Sequence, residues 1–241
     1  MSHSTQNVDA QEVAKFEAAS SEWWDPAGAF RTLHEINPLR LDYVGQRVGG
    51  LEGKKIVDVG CGGGILTESM AAQGAIVTGI DAGDAALTAA REHQSISGLA
   101  VEYVQAVPEA FAKTHAHEFD VVTCMELLEH VPNPASVVQA CARLVRASGH
   151  VFFSTINRTP KAYLLAIIGA EYILGLLPKG THDYARFIRP SELASWARTC
   201  DLVMANITGL SYNPLTKHYA LGSDIATNYM VQTELHDEPN S

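Results

Sequence analysis

Four of the five residues from Gly60 to Gly64 are glycines, and they directly follow the short apolar run Lys55-Ile-Val-Asp-Val59. Glycine permits tight turning and lets a ligand approach the backbone closely. The next residues, 65–73, are predicted to be helical, and a helix N-terminus offers free N–H groups and a partial positive charge. The pattern therefore predicts a strand, a ligand-binding turn and a helix, in that order.

Apolar runs and helical stretches alternate through the middle of the chain. Strands are predicted at 55–59, 75–80, 101–105, 119–125 and 150–155, and helices at 65–73, 85–93 and 134–146. Such alternation implies crossover connections and a parallel sheet, and the nearly continuous apolar strands fit a sheet that is covered on both faces. The predicted fold class is α/β, of the Rossmann-like type, and 241 residues suffice for one such domain.

Helices are also predicted on either side of this region. One runs from Val8 to about Ala19, with Asp9 near its start, and a second follows Asn37 as N-cap and Pro38 as first helical residue. The last third predicts one helix at 190–200, strands at 202–207 and 217–221, and a frayed tail from His236.

Charge and cysteine usage narrow the class of protein. The chain has 27 acidic and 17 basic residues and no long basic run, so nucleic acid is excluded as the main partner. Its four cysteines are widely spaced and are expected to be reduced thiols. No signal peptide is recognisable, and no apolar run reaches the roughly 20 residues that span a bilayer. A cytoplasmic protein is expected.

Two acidic residues define the ligand expected at the glycine turn. Asp81 follows the second strand, where a doubly wound sheet places an acceptor for ribose hydroxyls. A dinucleotide fingerprint that starts at Gly60 would need a glycine at position 65, which is Ile65. Asp58 would repel a pyrophosphate and attract an ammonium group. The turn therefore favours S-adenosylmethionine, while an NAD-dependent oxidoreductase remains an alternative.

These motifs resemble those of class I methyltransferases and, more closely, of the bacterial ubiquinone biosynthesis O-methyltransferases. The resemblance covers roughly residues 8–230 and is strongest at Val57–Gly64, Gly79–Asp81, Phe119–Glu126, Glu129–Pro134, Lys15–Glu17, Trp23–Asp25, Ile36–Leu41, Pro178–Asp183 and Asn228–Met230. It implies a seven-stranded, mostly parallel sheet with an antiparallel last strand. It also implies O-methylation of 2-polyprenyl-6-hydroxyphenol and 3-demethylubiquinol.

Several residues are assigned to the cofactor. The resemblance implies contacts of S-adenosylmethionine with Arg40, Gly60, Asp81 and Met125. Arg40 suits the methionine carboxylate, and Met125 offers an adaptable apolar surface. The further candidates are Asp58, Gly62 and Gln105. One domain, 1–241, is expected, with cofactor-covering helices (1–50), a cofactor-binding core (51–156), an apolar insertion (157–185) and a C-terminal part (186–241).

Glu126, Glu129 and His130 are the candidates for chemistry. If the segment is helical, their side chains share one face and can hold a divalent cation such as Mg²⁺, which would favour a phenolate. The alternative is His130 as a metal-free general base.

The segment 162–177 is almost entirely apolar and has basic residues on both sides. It is too short to cross a bilayer, and we expect residues 158–183 to lie on the inner membrane, where a polyprenyl substrate dissolves. A buried helix pair or a dimer contact would explain it as well. Other proteins of ubiquinone synthesis are possible partners. A methyltransferase of another small phenol and a noncatalytic lipid-binding subunit remain alternative functions.

Overall fold

The chain folds around one central sheet of eight strands. A computed structural model describes residues 7–164 and 183–235. The strands are β1 (Lys55–Val59), β2 (Ile76–Asp81), β3 (Val101–Gln105), β4 (Phe119–Met125), β5 (Val145–Ile156), β6 (Leu202–Asn213), β7 (His218–Gly222) and β8 (Asn228–Leu235). The predicted strands at 101–105 and 119–125 coincide with β3 and β4.

The strand order is β3-β2-β1-β4-β5-β8-β6-β7. The neighbours from β3 to β5 run parallel, whereas β8 is antiparallel to both β5 and β6, and β7 is antiparallel to β6. The prediction of a mostly parallel sheet with an antiparallel last strand is therefore confirmed. The expected count of seven strands is wrong, because residues Asn228–Leu235, for which no strand was predicted, form an eighth strand, β8.

Helices cover the sheet on both faces, as predicted. They are α1 (Ala10–Ala18), α2 (Arg31–Arg47), α3 (Ile65–Ala72), α4 (Asp84–Ser97), α5 (Pro108–Phe111), α6 (Pro134–Leu144), α7 (Pro160–Ala162) and α8 (Pro190–Arg198). Phe152 and Phe153 are neighbours in β5, yet they belong to separate buried clusters, because successive side chains of a strand point to opposite faces. The sheet thus has a hydrophobic core on each side.

The predicted start of the second helix at Asn37 is wrong. The helix α2 begins at Arg31 and continues through Pro38. The Asn37 side chain does not cap it, because its amide donates to the Ser69 hydroxyl of α3, at 2.8 Å. A contact with another helix therefore overrides the local N-cap signal, and the uninterrupted helix carries Arg40 towards the sheet.

No helix in the described ranges is long and apolar enough to cross a membrane. Most of the apolar segment 162–177 lies outside the described residues, as do the start of the chain before Asn7 and the tail after Leu235.

We expect one glycine of the β6–β7 hairpin to be indispensable and its partner to be replaceable. Gly209 and Gly222 are paired across the hairpin. A Cβ at Gly209 would lie 1.9 Å from the backbone oxygen of Asp224, whereas a Cβ at Gly222 would meet nothing within 4 Å. The substitution Gly209→Ala should lower the free energy of unfolding by about 2 kcal/mol because of overpacking, measured by urea denaturation. The matched control Gly222→Ala should change it by less than about 0.5 kcal/mol. Equal losses in the two variants would contradict this account.

Candidate active site

A cavity of about 940 Å³ opens at the carboxyl ends of β1, β2 and β4. In α/β sheets this edge is where ligands usually bind. Its lining includes most of the residues predicted from the sequence, namely Arg40, Asp58, Gly60, Gly62, Asp81, Met125, Glu126 and His130. The volume suits a nucleoside and part of a second molecule.

The glycine turn packs closely against the ring of Trp23. Gly62 has a φ of 54°, in the left-handed region that favours glycine. A Cβ at Gly62 or at Gly63 would come within 2.5 Å of the Trp23 ring. Trp23 in turn stacks on Phe30, with 3.6 Å between the ring centroids. Glycine is thus needed here both for the backbone conformation and for the space above it.

Asp81 is fixed at the end of β2 by two backbone donors. The N–H groups of Gly62 and Gly83 donate to its two carboxylate oxygens, at 2.9 and 2.8 Å. Burial raises the pKa of Asp81, and these hydrogen bonds oppose that shift. The carboxylate lines the cavity beside the glycine turn. It is therefore positioned to accept further hydrogen bonds from hydroxyls of a ligand.

Asp58 and Arg40 are buried charges on the same cavity. The hydroxyls of Thr67 and Thr123 donate to the carboxylate of Asp58, at 2.6 and 2.7 Å. Burial raises the pKa of Asp58, while the threonines and Arg40 lower it. Arg40 is only 4% exposed, and its Nε has no hydrogen-bond partner among the residues described. Its Nη2 donates to the Leu33 carbonyl and to the Asn37 side chain. A buried guanidinium with an unsatisfied N–H is suited to the carboxylate of a ligand.

Met125 and Gln105 differ in their relation to the cavity. Met125 is buried at the end of β4 and lines the cavity. Gln105 does not line the cavity, because its amide Nε2 donates to the Ala82 carbonyl at 3.1 Å. The next residue, Ala106, lines the cavity instead.

The segment Glu126–His130 is not an α-helix, so the condition for a shared helical face is not met. Glu126 has a φ of 54°, so the chain turns sharply after β4, and only Leu128–His130 forms a single 3-10 turn. The carboxylates of Glu126 and Glu129 accept hydrogen bonds from Ser154 and Thr155, at 2.7 and 2.9 Å. His130 Nδ1 instead pairs with Glu12 of α1, at 2.8 Å. The three side chains thus do not share one helical face.

The described side chains do not fit the predicted divalent-cation site. Within residues 7–164 and 183–235, no group of three or more His, Cys, Asp or Glu side chains is arranged to hold a metal ion. Each candidate ligand is instead engaged with a partner from a different element. We therefore derive no step of the reaction through a metal ion.

His130 lies in a strongly acidic environment. Burial lowers the pKa of His130, but the hydrogen bond to Glu12 and the charges of Glu129 and Glu126 outweigh it, so the pKa is raised above its usual value. Burial, together with the nearby Glu126, also raises the pKa of Glu129 to about 7. The neutral imidazole that a base requires therefore becomes the main form of His130 at a higher pH than for an ordinary histidine.

Glu12 and Asn228 belong to the site, although sequence analysis did not select them. Both line the cavity, and Asn228 presents a buried side-chain oxygen that has no partner in the described part of the chain. Asn228 was noticeable only as part of a motif, Asn228–Met230. No local sequence pattern identifies Glu12 as a site residue, because its partner His130 lies 118 residues away in the sequence.

Known proteins resemble this chain in sequence and in fold. Residues 57–153 match a family described as "Methyltransferase domain". The ubiquinone biosynthesis O-methyltransferases of Pseudomonas putida (strain F1) and Pseudomonas fluorescens (strain Pf-5) are 61% and 60% identical to it over 227 residues, which is 94% of this chain and 97% of each relative.

Two solved structures show the same fold at low sequence identity. Magnesium protoporphyrin IX methyltransferase from Synechocystis PCC 6803, with bound SAH, is 17% identical and has a TM-score of 0.66, covering 91% of this chain and 94% of its own. A SAM-dependent methyltransferase from Thermotoga maritima is 16% identical, with a TM-score of 0.65 and coverages of 93% and 100%. On the strength of its close relatives, this chain belongs to the ubiquinone biosynthesis O-methyltransferases, an S-adenosylmethionine-dependent family.

Proposed function

We propose that this enzyme methylates a phenolic oxygen of polyprenylated rings, at the 2-polyprenyl-6-hydroxyphenol and 3-demethylubiquinol steps of ubiquinone synthesis. The observation that carries the proposal is the single cavity that holds Arg40, Asp81 and His130. Under this proposal, an anion-binding group, an acceptor for ribose hydroxyls and a base surround one space. The names of the close relatives support the choice of substrate.

The described residues fit S-adenosylmethionine. Asp81 would accept the ribose hydroxyls, Arg40 would bind the carboxylate, and Asp58 would attract the ammonium group. Gly60 and Gly62 bring their backbone to the cavity lining, where a ligand can approach it, and Met125 would pack against that ligand. The bound cofactor supplies an electrophilic methyl group on a sulfonium.

His130 would make the phenol nucleophilic. A free phenol has a pKa of about 10, so little phenolate exists at neutral pH. Neutral His130 accepts the phenolic proton, while the oxygen bonds to the methyl carbon and the C–S bond breaks with its electron pair left on sulfur. The products are the methyl ether, S-adenosylhomocysteine and a protonated His130, which returns the proton to solvent. A positioned base of this kind contributes about 10²–10⁴-fold in rate.

Replacing Asp81 should weaken cofactor binding selectively. Asp81→Asn substitutes an NH₂ group for one of the two oxygens that accept the N–H groups of Gly62 and Gly83. We expect the Kd for S-adenosylhomocysteine to rise by about tenfold or more, as expected for losing hydrogen bonds to a charged group, measured by isothermal titration calorimetry. Methyl transfer to a short-chain 2-prenyl-6-hydroxyphenol should fall in parallel.

Asp84→Asn is the matched control, because Asp84 is an exposed carboxylate only three residues away, at the start of α4. The Kd of the Asp84→Asn variant for S-adenosylhomocysteine should stay within about twofold of the wild-type value, because surface substitutions have small effects. Tight cofactor binding in Asp81→Asn would contradict the assignment. A wild-type enzyme that binds S-adenosylhomocysteine yet methylates no prenylated phenol would refute the proposed substrate.

Chelation distinguishes the two readings of Glu126, Glu129 and His130. We expect dialysis against EDTA to leave the turnover number unchanged, because the described side chains are engaged with Ser154, Thr155 and Glu12 rather than with each other. The measurement compares turnover before chelation, after it, and after Mg²⁺ is added back. A loss of activity that Mg²⁺ restores would reinstate the cation site.

The apolar segment would bring the enzyme, as a cytoplasmic protein, to the inner membrane. Residues 165–182 lie outside the description, but Tyr163 and Leu164, which precede them, are 44% and 56% exposed. An exposed aromatic and aliphatic pair beside Lys161 is typical of an interfacial segment. A polyprenylated ring partitions into the bilayer, and we propose that residues 158–183 meet it at the membrane surface.

Flotation with vesicles of phosphatidylethanolamine and phosphatidylglycerol tests the membrane surface. The wild-type chain should float with the vesicles, and Leu164→Asp should float at least about threefold less, because a charge is costly at an apolar interface. Leu215→Asp is the control, since Leu215 is an exposed leucine, at 93%, in the β6–β7 turn. Wild-type protein that stays at the bottom of the gradient would refute the membrane proposal.

A further inference from the structure

We propose that Glu12 is a positioning residue for methyl transfer, holding the His130 imidazole with its hydrogen on Nδ1 and its lone pair on Nε2. The inference rests on the proposed role of His130 as the base. The proposal adds a residue of the N-terminal helix α1 to a site that is otherwise built from the glycine turn and the ends of the strands.

The contact between the two residues is short and shielded. Glu12 Oε2 lies 2.8 Å from His130 Nδ1, and Glu12 is only 8% exposed. The other oxygen of Glu12 accepts a hydrogen bond from Lys15 Nζ at 2.7 Å. The Phe16 ring and the imidazole are nearly perpendicular, with 5.1 Å between their centroids. A hydrogen bond in such surroundings is stronger than one in water.

The protonation state of Glu12 determines the direction of this hydrogen bond. The hydrogen bond with His130 is the main reason why the pKa of Glu12 is lowered to about 2; burial opposes this shift, and the hydrogen bond from Lys15 adds to it. An ionised carboxylate can only accept hydrogen bonds. Nδ1 must therefore carry the hydrogen, and in the neutral imidazole the basic lone pair is on Nε2.

Other acids near His130 do not offer the same contact. Glu126 and Glu129 contribute to its charge environment. Their carboxylates, however, accept hydrogen bonds from Ser154 and Thr155 of β5. Of the three acids, Glu12 is the one for which a hydrogen bond to a ring nitrogen of His130 is observed.

The helix that carries Glu12 is anchored at its start. Asp9 caps α1 by accepting hydrogen bonds from the N–H groups of Gln11 and Glu12, and it forms an ion pair with Arg186, at 2.6 Å. The Asn7 side chain bonds to Glu109 and to the backbone of Asn133. These contacts fix the position of the carboxylate, which is what orientation of a base requires.

Glu12→Gln tests the role because it keeps the shape of the side chain. The amide can donate to Nδ1 and so favour the wrong tautomer, as in serine proteases whose triad aspartate is replaced by asparagine. We expect kcat to fall by about 10²-fold, while the Kd for S-adenosylhomocysteine stays within about threefold. Glu12→Ala should lower kcat by about tenfold or more.

Two controls separate a positioning role from a purely structural one. Gln11→Ala alters the neighbouring exposed residue of α1 and should leave kcat unchanged. In the wild-type enzyme, ¹⁵N NMR of the histidine ring should show hydrogen on Nδ1 of neutral His130. That measurement needs no turnover, so it stays informative if the proposed substrate proves wrong. A kcat of Glu12→Gln within twofold of the wild type, or hydrogen on Nε2 in the wild type, would overturn the proposal.

Discussion

The hydrogen bond from the Gly62 N–H to Asp81 connects the two parts of the site on which everything else depends. It joins the turn after β1 to the end of β2, so the glycine backbone and the acidic side chain keep one fixed spacing. The turn can take this path only because Gly62 adopts a positive φ and leaves room for Trp23. The backbone conformation of Gly62, the packing of Trp23 and the position of the Asp81 carboxylate therefore depend on one another.

The two aspartates of the cavity are compensated locally. Asp58 is held by two threonine hydroxyls and Asp81 by two backbone N–H groups. Burying a charge without such partners would be costly. Arg40 departs from this pattern, because its Nε is buried and unsatisfied among the described residues. This asymmetry explains why the site suits a ligand that carries its own carboxylate.

The sequence was sufficient for those parts of the fold that depend on local pattern. The strands β3 and β4 are short apolar runs, and their predicted bounds match the structure. The strand β8 was missed because Gln232 and Thr233 interrupt its apolar run; both are buried, and the Thr233 hydroxyl donates to the Val151 carbonyl. The start of α2 was misjudged because Asn37 bonds to α3 instead of capping its own helix. At the site, the residues near the glycine turn were predictable, but the pairing of Glu12 with His130 depends on tertiary structure alone.

Trp23 is one of three tryptophans in the chain, and it is the one that lines the cavity. Trp24 stacks on His93 outside the lining, and Trp196 packs against the main core. We expect the environment of an indole in contact with both the glycine turn and Phe30 to change when a nucleoside binds beside it. The intrinsic fluorescence of the protein would then report cofactor occupancy without any added label.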